Sequence, residues 1–270
     1  MDRRRIVGIA LSTNWLVFSA CAQVALRVDT KLVLVPVTVE GDLHNPITGL
    51  EKGNFRIYEN NIEQPITAFY TEEAPTALGF VFDTSGSMRS ALPQGRVAAN
   101  EFLGFANPED EFCLVAFNDS PKMLVPLTSD TGNIRAEILL SKSNGSRALI
   151  DALYMALNEI KKSKKAKKAL VLISDGGENN SRYISSEIKR FVRESDVLIY
   201  FAAMPATALA PSELYGREFV KQIAEMTGGH MYDGNALGLA DIAVKIGAEQ
   251  RNQYVIGYTP HDPNHDGRYP

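Results

Sequence analysis

The chain has 270 residues, of which 45% are hydrophobic and 22% are charged. This length allows one large or two ordinary domains with a full hydrophobic core, and this composition excludes a disordered or fibrous protein. The formal net charge of −4 carries little information about partners, and we expect no nucleic-acid partner because nothing in the sequence favours one.

Residues 1–22 have the pattern of a signal peptide. The basic MDRRR precedes a short apolar stretch that contains Thr13 and Asn14 and is too short and too polar to span a bilayer. The tetrapeptide ACAQ predicts cleavage before Gln23, while FSAC also approximates a lipobox that would make Cys21 a lipid anchor. We therefore expect a secreted, periplasmic or envelope protein with no transmembrane span after cleavage.

Residues 23–74 show strand and turn signals and no helix start. The segment LVLVPVTVE is rich in β-branched residues, and FRIYENNIEQPITAF has the pattern of a hairpin that turns at Asn60 and Asn61. We predict an N-terminal β-rich module here. Because a lone hairpin is marginally stable in water, residues 26–70 are expected to pack against the domain that follows.

In residues 75–258 short apolar runs alternate with amphipathic stretches. The runs ALGFVFD, EFCLVAF, KKALVLISDG and VLIYFAAM are nearly continuous, as in strands covered on both faces. The sequence predicts an α/β domain with a doubly wound, mostly parallel sheet and YVIGYTP as its last strand. Residues 259–270 would start a truncated C-terminal β segment. The predicted helices are residues 92–105, 147–161, 181–193, 217–226 and 237–250.

Polar residues collect where the apolar strands end. GFVFD ends in Asp83, LVLISD ends in Asp175, and the segment SNGSRALIDAL opens a helix at Ser146. Ligands of such sheets bind beyond the carboxyl ends of the strands, so these residues are expected to share one edge. Oxygen donors without His or Cys suit a hard cation, Mg²⁺ first with Mn²⁺ and Ca²⁺ as alternatives, and fit zinc poorly. The candidate metal ligands are Asp83, Ser85, Ser87, Ser146 and Asp175.

The segments DTSGSM, NGSRALIDAL and VLISDGGEN resemble the metal-ion-dependent adhesion site (MIDAS) of a von Willebrand factor type A domain, over about Pro75 to Tyr258. The upstream segment is similar to the β-rich leader of a secreted bacterial subfamily. The resemblance implies that Ser85 and Ser87 bind the ion through their hydroxyls and that Ser146 takes a position usually held by threonine. It also implies that Asp83 and Asp175 act mainly through bound water.

The resemblance further implies a non-enzymatic, adhesion-type protein. The Asp or Glu carboxylate of a protein partner would fill the open position of the ion. Because hydroxyl ligands leave the charge of the cation largely uncompensated, an incoming carboxylate gains more there than in a fully anionic site. We therefore interpret the chain as a metal-dependent protein-binding module of the bacterial envelope or exterior.

Three alternatives stay open at this point. Asp83 could be a helix cap and Ser85 or Ser87 a turn residue, since these residue types favour such positions through local hydrogen bonds. FVFDTSGS also resembles the nucleophile strand of haloacid-dehalogenase-type phosphatases, with Asp83 as nucleophile, although the second acid two positions later is replaced by Ser85. Lastly, the chain could be a structural envelope module with an idle metal site.

Overall fold

A computed structural model gives the structure of the protein. It describes residues 32–37, 39, 41, 47–59, 61–71, 75–205, 210–252 and 254–260. The predicted signal peptide, the lipid anchor at Cys21 and most of the predicted C-terminal β segment lie outside these residues. Within the described part of the chain, no helix is long and apolar enough to cross a membrane.

The centre of the fold is a six-stranded sheet with helices on both faces. Its strands are, in spatial order, β10 (Met231–Asp233), β9 (Leu198–Ala203), β8 (Lys167–Ser174), β5 (Thr76–Asp83), β6 (Glu111–Phe117) and β7 (Pro121–Thr128). Neighbouring strands are parallel except for β6 and β7. The predicted α/β fold with a mostly parallel sheet is therefore confirmed.

Burial on both faces explains the continuous apolar strands. All eight residues of β5 are buried, and they alternate between two cores. Leu78, Phe80 and Phe82 lie in the core that includes α1 (Leu92–Gly104) and α6 (Leu239–Arg251). Ala77 and Val81 lie in the opposite core. The helices of that second core are α3 (Leu149–Ile160), α4 (Ser185–Arg193) and α5 (Pro211–Met226).

The five predicted helices are present, with different starting residues in four of them. The largest difference is in α5, which begins at Pro211 and not near residue 217. Proline is favoured at the first helical position, and the Glu213 carboxylate accepts a hydrogen bond from the Ala210 amide at 2.8 Å. This earlier start matters because it places Glu213 beside the candidate site. The antiparallel edge strand β7 and the helix α2 (Thr131–Leu140) were not predicted.

The segment YVIGYTP contradicts its predicted place in the parallel sheet. Its strand, β11 (Tyr254–Tyr258), lies in a separate three-stranded sheet between β1 (Val33–Val37) and β4 (Ile66–Tyr70), and both pairings are antiparallel. All five residues of β11 are buried, so its apolar pattern equals that of a central parallel strand. The Tyr254 ring also lies 5.0 Å from the ring of Phe55.

The N-terminal β-rich region is therefore present and is tied to the strand that follows α6. The Tyr254 hydroxyl strengthens this link, because it donates to the Ile47 carbonyl at 2.9 Å and accepts from the Leu50 amide at 3.0 Å. The predicted hairpin forms from β2 (Ile57–Glu59) and β3 (Ile62–Gln64), and Asn61 in its turn has a φ of 62°.

Candidate cation site at the carboxyl ends of the strands

The predicted site lies where the strand order of the large sheet reverses. From β5 the chain moves to β6 on one side, and it later returns to β8 on the other side. The loops that follow these three strands meet at one edge of the sheet. Sheets of this kind bind their ligands at such a point.

Asp83, Ser85 and Ser87 lie close together after β5. One carboxylate oxygen of Asp83 accepts the Ser85 amide at 2.8 Å, and the other accepts the Ser174 hydroxyl. The hydroxyl oxygens of Ser85 and Ser87 are 3.0 Å apart. Asp83 is fully buried, and this burial raises its pKa to about 6, with the negative charge of Asp175 as a smaller cause. The folded protein therefore binds a proton at Asp83 more readily than at an exposed aspartate.

Asp175 directly follows β8 and faces the same cluster. Its Oδ1 accepts the Gly177 amide at 2.9 Å, a local turn contact of the kind that aspartate favours. Its Oδ2 lies 3.3 Å from Nη2 of Arg147. The structure therefore brings Asp175 toward Asp83 and Ser87, and it adds a residue that the sequence analysis did not select.

Ser146 enters the site region through its backbone. Its amide donates to Oδ1 of Asp119 at 2.7 Å, and the neighbouring Gly145 carbonyl accepts the Gly86 amide at 3.0 Å. Across the described ranges, no hydrogen bond joins the Ser146 hydroxyl to the other candidate ligands. The role of this hydroxyl as a ligand stays a prediction.

Arg147 is the residue of this loop whose side chain reaches the cluster. Its Nε donates to Oγ of Ser87 at 3.0 Å, and its Nη2 donates to Oε1 of Glu213 at 2.8 Å. The same Nη2 forms the ion pair with Asp175, and only 13% of the Arg147 side chain is exposed. The sequence signal was a basic residue directly after Ser146, but a search for oxygen donors does not select a cation.

The backbone of Arg147 is held as firmly as its side chain. Its amide donates to Oδ1 of Asn179 at 2.9 Å, while its carbonyl accepts the amides of Asn179 and Asn180 at 3.1 and 3.0 Å. These bonds connect the loop before α3 with the loop after β8. These hydrogen bonds therefore hold the backbone from which the Arg147 side chain extends.

Two glycines after Asp175 leave room for two arginines. A Cβ on Gly177 would lie 2.3 Å from Nη1 of Arg147. A Cβ on Gly176, whose φ is +89°, would lie 2.6 Å from Cγ of Arg217. Arg217 is buried and donates from Nε to the Asp175 carbonyl at 2.9 Å and from Nη2 to the Met204 carbonyl. The two glycines of the sequence SDGG thus leave space for the side chain of Arg147 at the site and for the buried side chain of Arg217.

Comparison with known families identifies this region. The family model of the von Willebrand factor type A domain matches residues 78–178, which include all five predicted ligands. These residues are thus similar to a von Willebrand factor type A domain. A comparison with curated protein sequences returned no match.

Solved structures share the type A fold at low sequence identity. A von Willebrand factor type A protein from Catenulispora acidiphila is 14% identical with a TM-score of 0.57, over 72% of this chain and 52% of that chain. The PilB minor pilin from Streptococcus sanguinis is 14% identical with a TM-score of 0.51, over 82% and 79% of the two chains. Proximal thread matrix protein 1 from the mussel byssus, with a zinc occupied MIDAS motif, is 20% identical with a TM-score of 0.52, over 71% and 49%.

These identities show the fold alone, and this chain spans about half the length of the Catenulispora acidiphila and mussel proteins. Type A domains often bind a divalent cation at a MIDAS. Whether the residues of this chain suit such an ion depends on the geometry of its own site.

Arg147 decides the fit of a divalent ion in this arrangement. Oxygen ligands lie about 2.0–2.6 Å from Mg²⁺ or Ca²⁺, so an ion bound directly to the Ser87 hydroxyl, with Asp175 reached directly or through a bound water, would occupy the space between these two side chains. The guanidinium already lies 3.0 Å from the Ser87 hydroxyl and 3.3 Å from the Asp175 carboxylate. Two cations in this space would repel each other. With Arg147 in this place, the residues do not fit a divalent ion.

Proposed function

We infer that this protein is a non-enzymatic protein-binding module of the bacterial envelope or exterior. Its contact surface is the rim, which we define as the loops at the carboxyl ends of β5, β6 and β8 with the loop before α3. The rim consists of residues 84–87, 118–120, 144–147 and 175–181. The observation that carries this inference is the convergence of these polar loops at the point where the strand order reverses.

The relatives support both parts of this inference. Type A domains are generally adhesion or structural modules without enzymatic activity. One structural relative is a minor pilin. Another, 16% identical with a TM-score of 0.52, is an aerotolerance-related membrane protein from Bacteroides fragilis. A location in the envelope or outside the cell agrees with these relatives and with the signal-peptide pattern of the sequence.

The phosphatase alternative is poorly supported by the surroundings of Asp83. A nucleophilic carboxylate must reach its substrate, but Asp83 is fully buried. Both of its carboxylate oxygens accept hydrogen bonds, one from the Ser85 amide and one from the Ser174 hydroxyl. The second acid that such an enzyme needs is absent from its place, since Ser85 stands there.

The metal-dependent form of the function requires an ion with an open position for the carboxylate of a partner. The guanidinium of Arg147 is already engaged by Asp175 and Glu213, so it offers no such uncompensated charge. This arrangement favours the alternative in which the module does not use its metal site. We propose contact with a protein partner through hydrogen bonds of the rim, without a metal ion.

A capture experiment with matched variants tests the proposed function. The full chain is immobilised and exposed to an envelope extract of the bacterium that makes it, in buffer with Mg²⁺ and again with EDTA. Ser87→Trp places a bulky side chain on the exposed part of the rim, while Lys164→Trp makes the same change at an exposed position before β8. We expect wild type and Lys164→Trp to retain the same proteins in both buffers and Ser87→Trp to lose them.

Each other result has a definite meaning. If Ser87→Trp and wild type retain the same proteins, the contact surface lies outside the rim. If EDTA releases the proteins from wild type, the metal-dependent form of the function is correct. If wild type retains only the proteins that also bind to a support without the immobilised chain, the proposed protein-binding function is wrong.

A further inference from the structure

The charge at the centre of the rim is carried by the chain itself. The guanidinium of Arg147 contacts a hydroxyl and two carboxylates, at 3.0 Å from Ser87, 3.3 Å from Asp175 and 2.8 Å from Glu213. Ser87 and Asp175 are two of the oxygen donors that the sequence assigns to a metal ion. A planar group with several fixed N–H donors can serve such acceptors in different directions, which suits arginine better than lysine.

The surroundings of Arg147 are shaped to keep the guanidinium in this place. The side chains of Arg147, Asp175 and Glu213 are 13%, 13% and 17% exposed, so their attraction is only weakly screened by water. The lack of a side chain at Gly177 leaves the space that the guanidinium fills. The hydrogen bonds with Asn179 fix the backbone from which the side chain extends.

We propose that Arg147 is the permanent cation of the rim. Its guanidinium takes the place of a divalent ion, joins the loop before α3 to the end of β8 and the first turn of α5, and excludes metal from the wild-type protein. The rim is therefore assembled in the presence of EDTA. This proposal does not depend on the protein-binding function, because metal binding and stability are measured on the purified chain alone.

A titration with Mn²⁺, followed by electron paramagnetic resonance of the free ion, tests the proposal. For the full wild-type chain we expect no saturable site tighter than roughly 10⁻³ M, the weak end for extracellular calcium modules. Arg147→Ser removes the guanidinium and leaves Asp83, Ser85, Ser87 and Asp175 with one added hydroxyl. This variant should bind one Mn²⁺ with a Kd of about 10⁻⁴ to 10⁻³ M, and its melting temperature should rise with Mn²⁺.

The control variant makes the same change at another arginine that faces a carboxylate. Nε of Arg182 lies 3.2 Å from Oδ2 of Asp151, and 84% of the Arg182 side chain is exposed. Arg182→Ser should behave like wild type in the titration. If Arg182→Ser binds Mn²⁺ and wild type does not, the loss of any positive charge is enough to allow metal binding. The position of Arg147 would then not be the cause, and the proposal would be wrong.

Two further results would also overturn the proposal. One is a saturable Mn²⁺ site in wild type that is as tight as in Arg147→Ser, and the other is a folded Arg147→Ser chain without metal binding. If Arg147→Ser does not fold, Gly177→Ala takes its place, because the added Cβ at 2.3 Å from Nη1 forces the guanidinium away while the arginine stays in the chain. A folded Gly177→Ala protein that gains no Mn²⁺ site contradicts the proposal.

Discussion

Two arginines meet the end of β8, and they differ in what they bind. Arg217, from the middle of α5, is 6% exposed and donates to the backbone carbonyls of Asp175 and Met204. Its Nη1 also lies 3.9 Å from the carboxylate Oδ1 of Asp233. Arg147 lies on the rim and binds the side chains of Ser87, Asp175 and Glu213. Both arginines contact Asp175, directly after β8, through their guanidinium groups.

The difference separates a structural role from a role in the site. Backbone carbonyls are present whatever the sequence, so Arg217 satisfies acceptors that the fold itself creates. The oxygens around Arg147 belong to side chains that the sequence had to supply. A guanidinium among such groups belongs to the chemistry of the site. Substitutions around Arg217 should therefore affect mainly the stability of the fold, and substitutions around Arg147 should affect mainly the site.

The largest expected effect is the loss of Arg217. Arg217→Leu leaves two buried carbonyls without their donor, and each unsatisfied buried group costs about 1–3 kcal/mol. We expect the free energy of unfolding, measured by urea denaturation, to fall by about 3 kcal/mol or more. Lys221→Leu is the matched control on the same helix, since Lys221 is 47% exposed and pairs with Glu225 at 3.9 Å. A loss of equal size in both variants would contradict the structural role of Arg217.

A smaller effect concerns Asp83, a buried carboxylate that feels the negative charge of Asp175, which is the ion-pair partner of Arg147. Burial raises the pKa of folded Asp83 to about 6, above the unfolded value of about 3.9. The folded state then binds a proton more readily, so this group lowers the free energy of unfolding as pH rises from about 4 to about 6. The loss is on the order of 2–3 kcal/mol, because one pKa unit corresponds to about 1.4 kcal/mol.

Asp83→Asn removes this titration and keeps a side chain of nearly the same shape. We expect the difference in stability between wild type and Asp83→Asn, followed by urea denaturation, to change across about pH 4 to 6 and to become constant above this range. A constant difference across the whole range would mean that the pKa of Asp83 in the folded protein is not raised, and would contradict the prediction.

The smallest expected effects compare Gly176 with Gly177. Gly176→Ala combines a φ of +89° with a contact at 2.6 Å to Cγ of the buried Arg217, so we expect a loss of about 1–3 kcal/mol. Gly177→Ala meets the outer part of the Arg147 side chain, which can move toward solvent. Its loss should be smaller than that of Gly176→Ala in thermal unfolding. The reverse order would mean that Arg147, and not Arg217, is the more rigid of the two.

The sequence was sufficient to predict β5, β6, β8 and β9 of the large sheet and the strand ends of the site. β5 is buried on both faces, and this produces an apolar run that ends abruptly at Asp83. β7 was missed because Pro121 and Pro126 weaken its strand signal and only Val125 in it is buried, as fits an edge strand. For α2 a start signal was present, since Asp130 caps the amides of Gly132 and Asn133.

Two features depend on tertiary contacts that a local pattern does not contain. β11 has the apolar run of a parallel strand, but its neighbours are β1 and β4, and periodicity does not identify the partners of a strand buried on both faces. The place of Arg147 depends on Glu213, which belongs to the first turn of a helix predicted to begin later. Both contacts join residues that are distant in sequence.

The position of β11 between β1 and β4 also bears on how the chain folds. The pair formed by Leu50 and Tyr254 is separated by 204 residues in sequence, and the whole three-stranded sheet has this long-range character. Contacts of high sequence separation form slowly because the entropy of closing the loop must be overcome first. During synthesis the segments of β1 and β4 emerge early and have no strand to pair with until β11 follows. The N-terminal strands therefore spend this interval with unpaired edges, open to chaperones or to other chains.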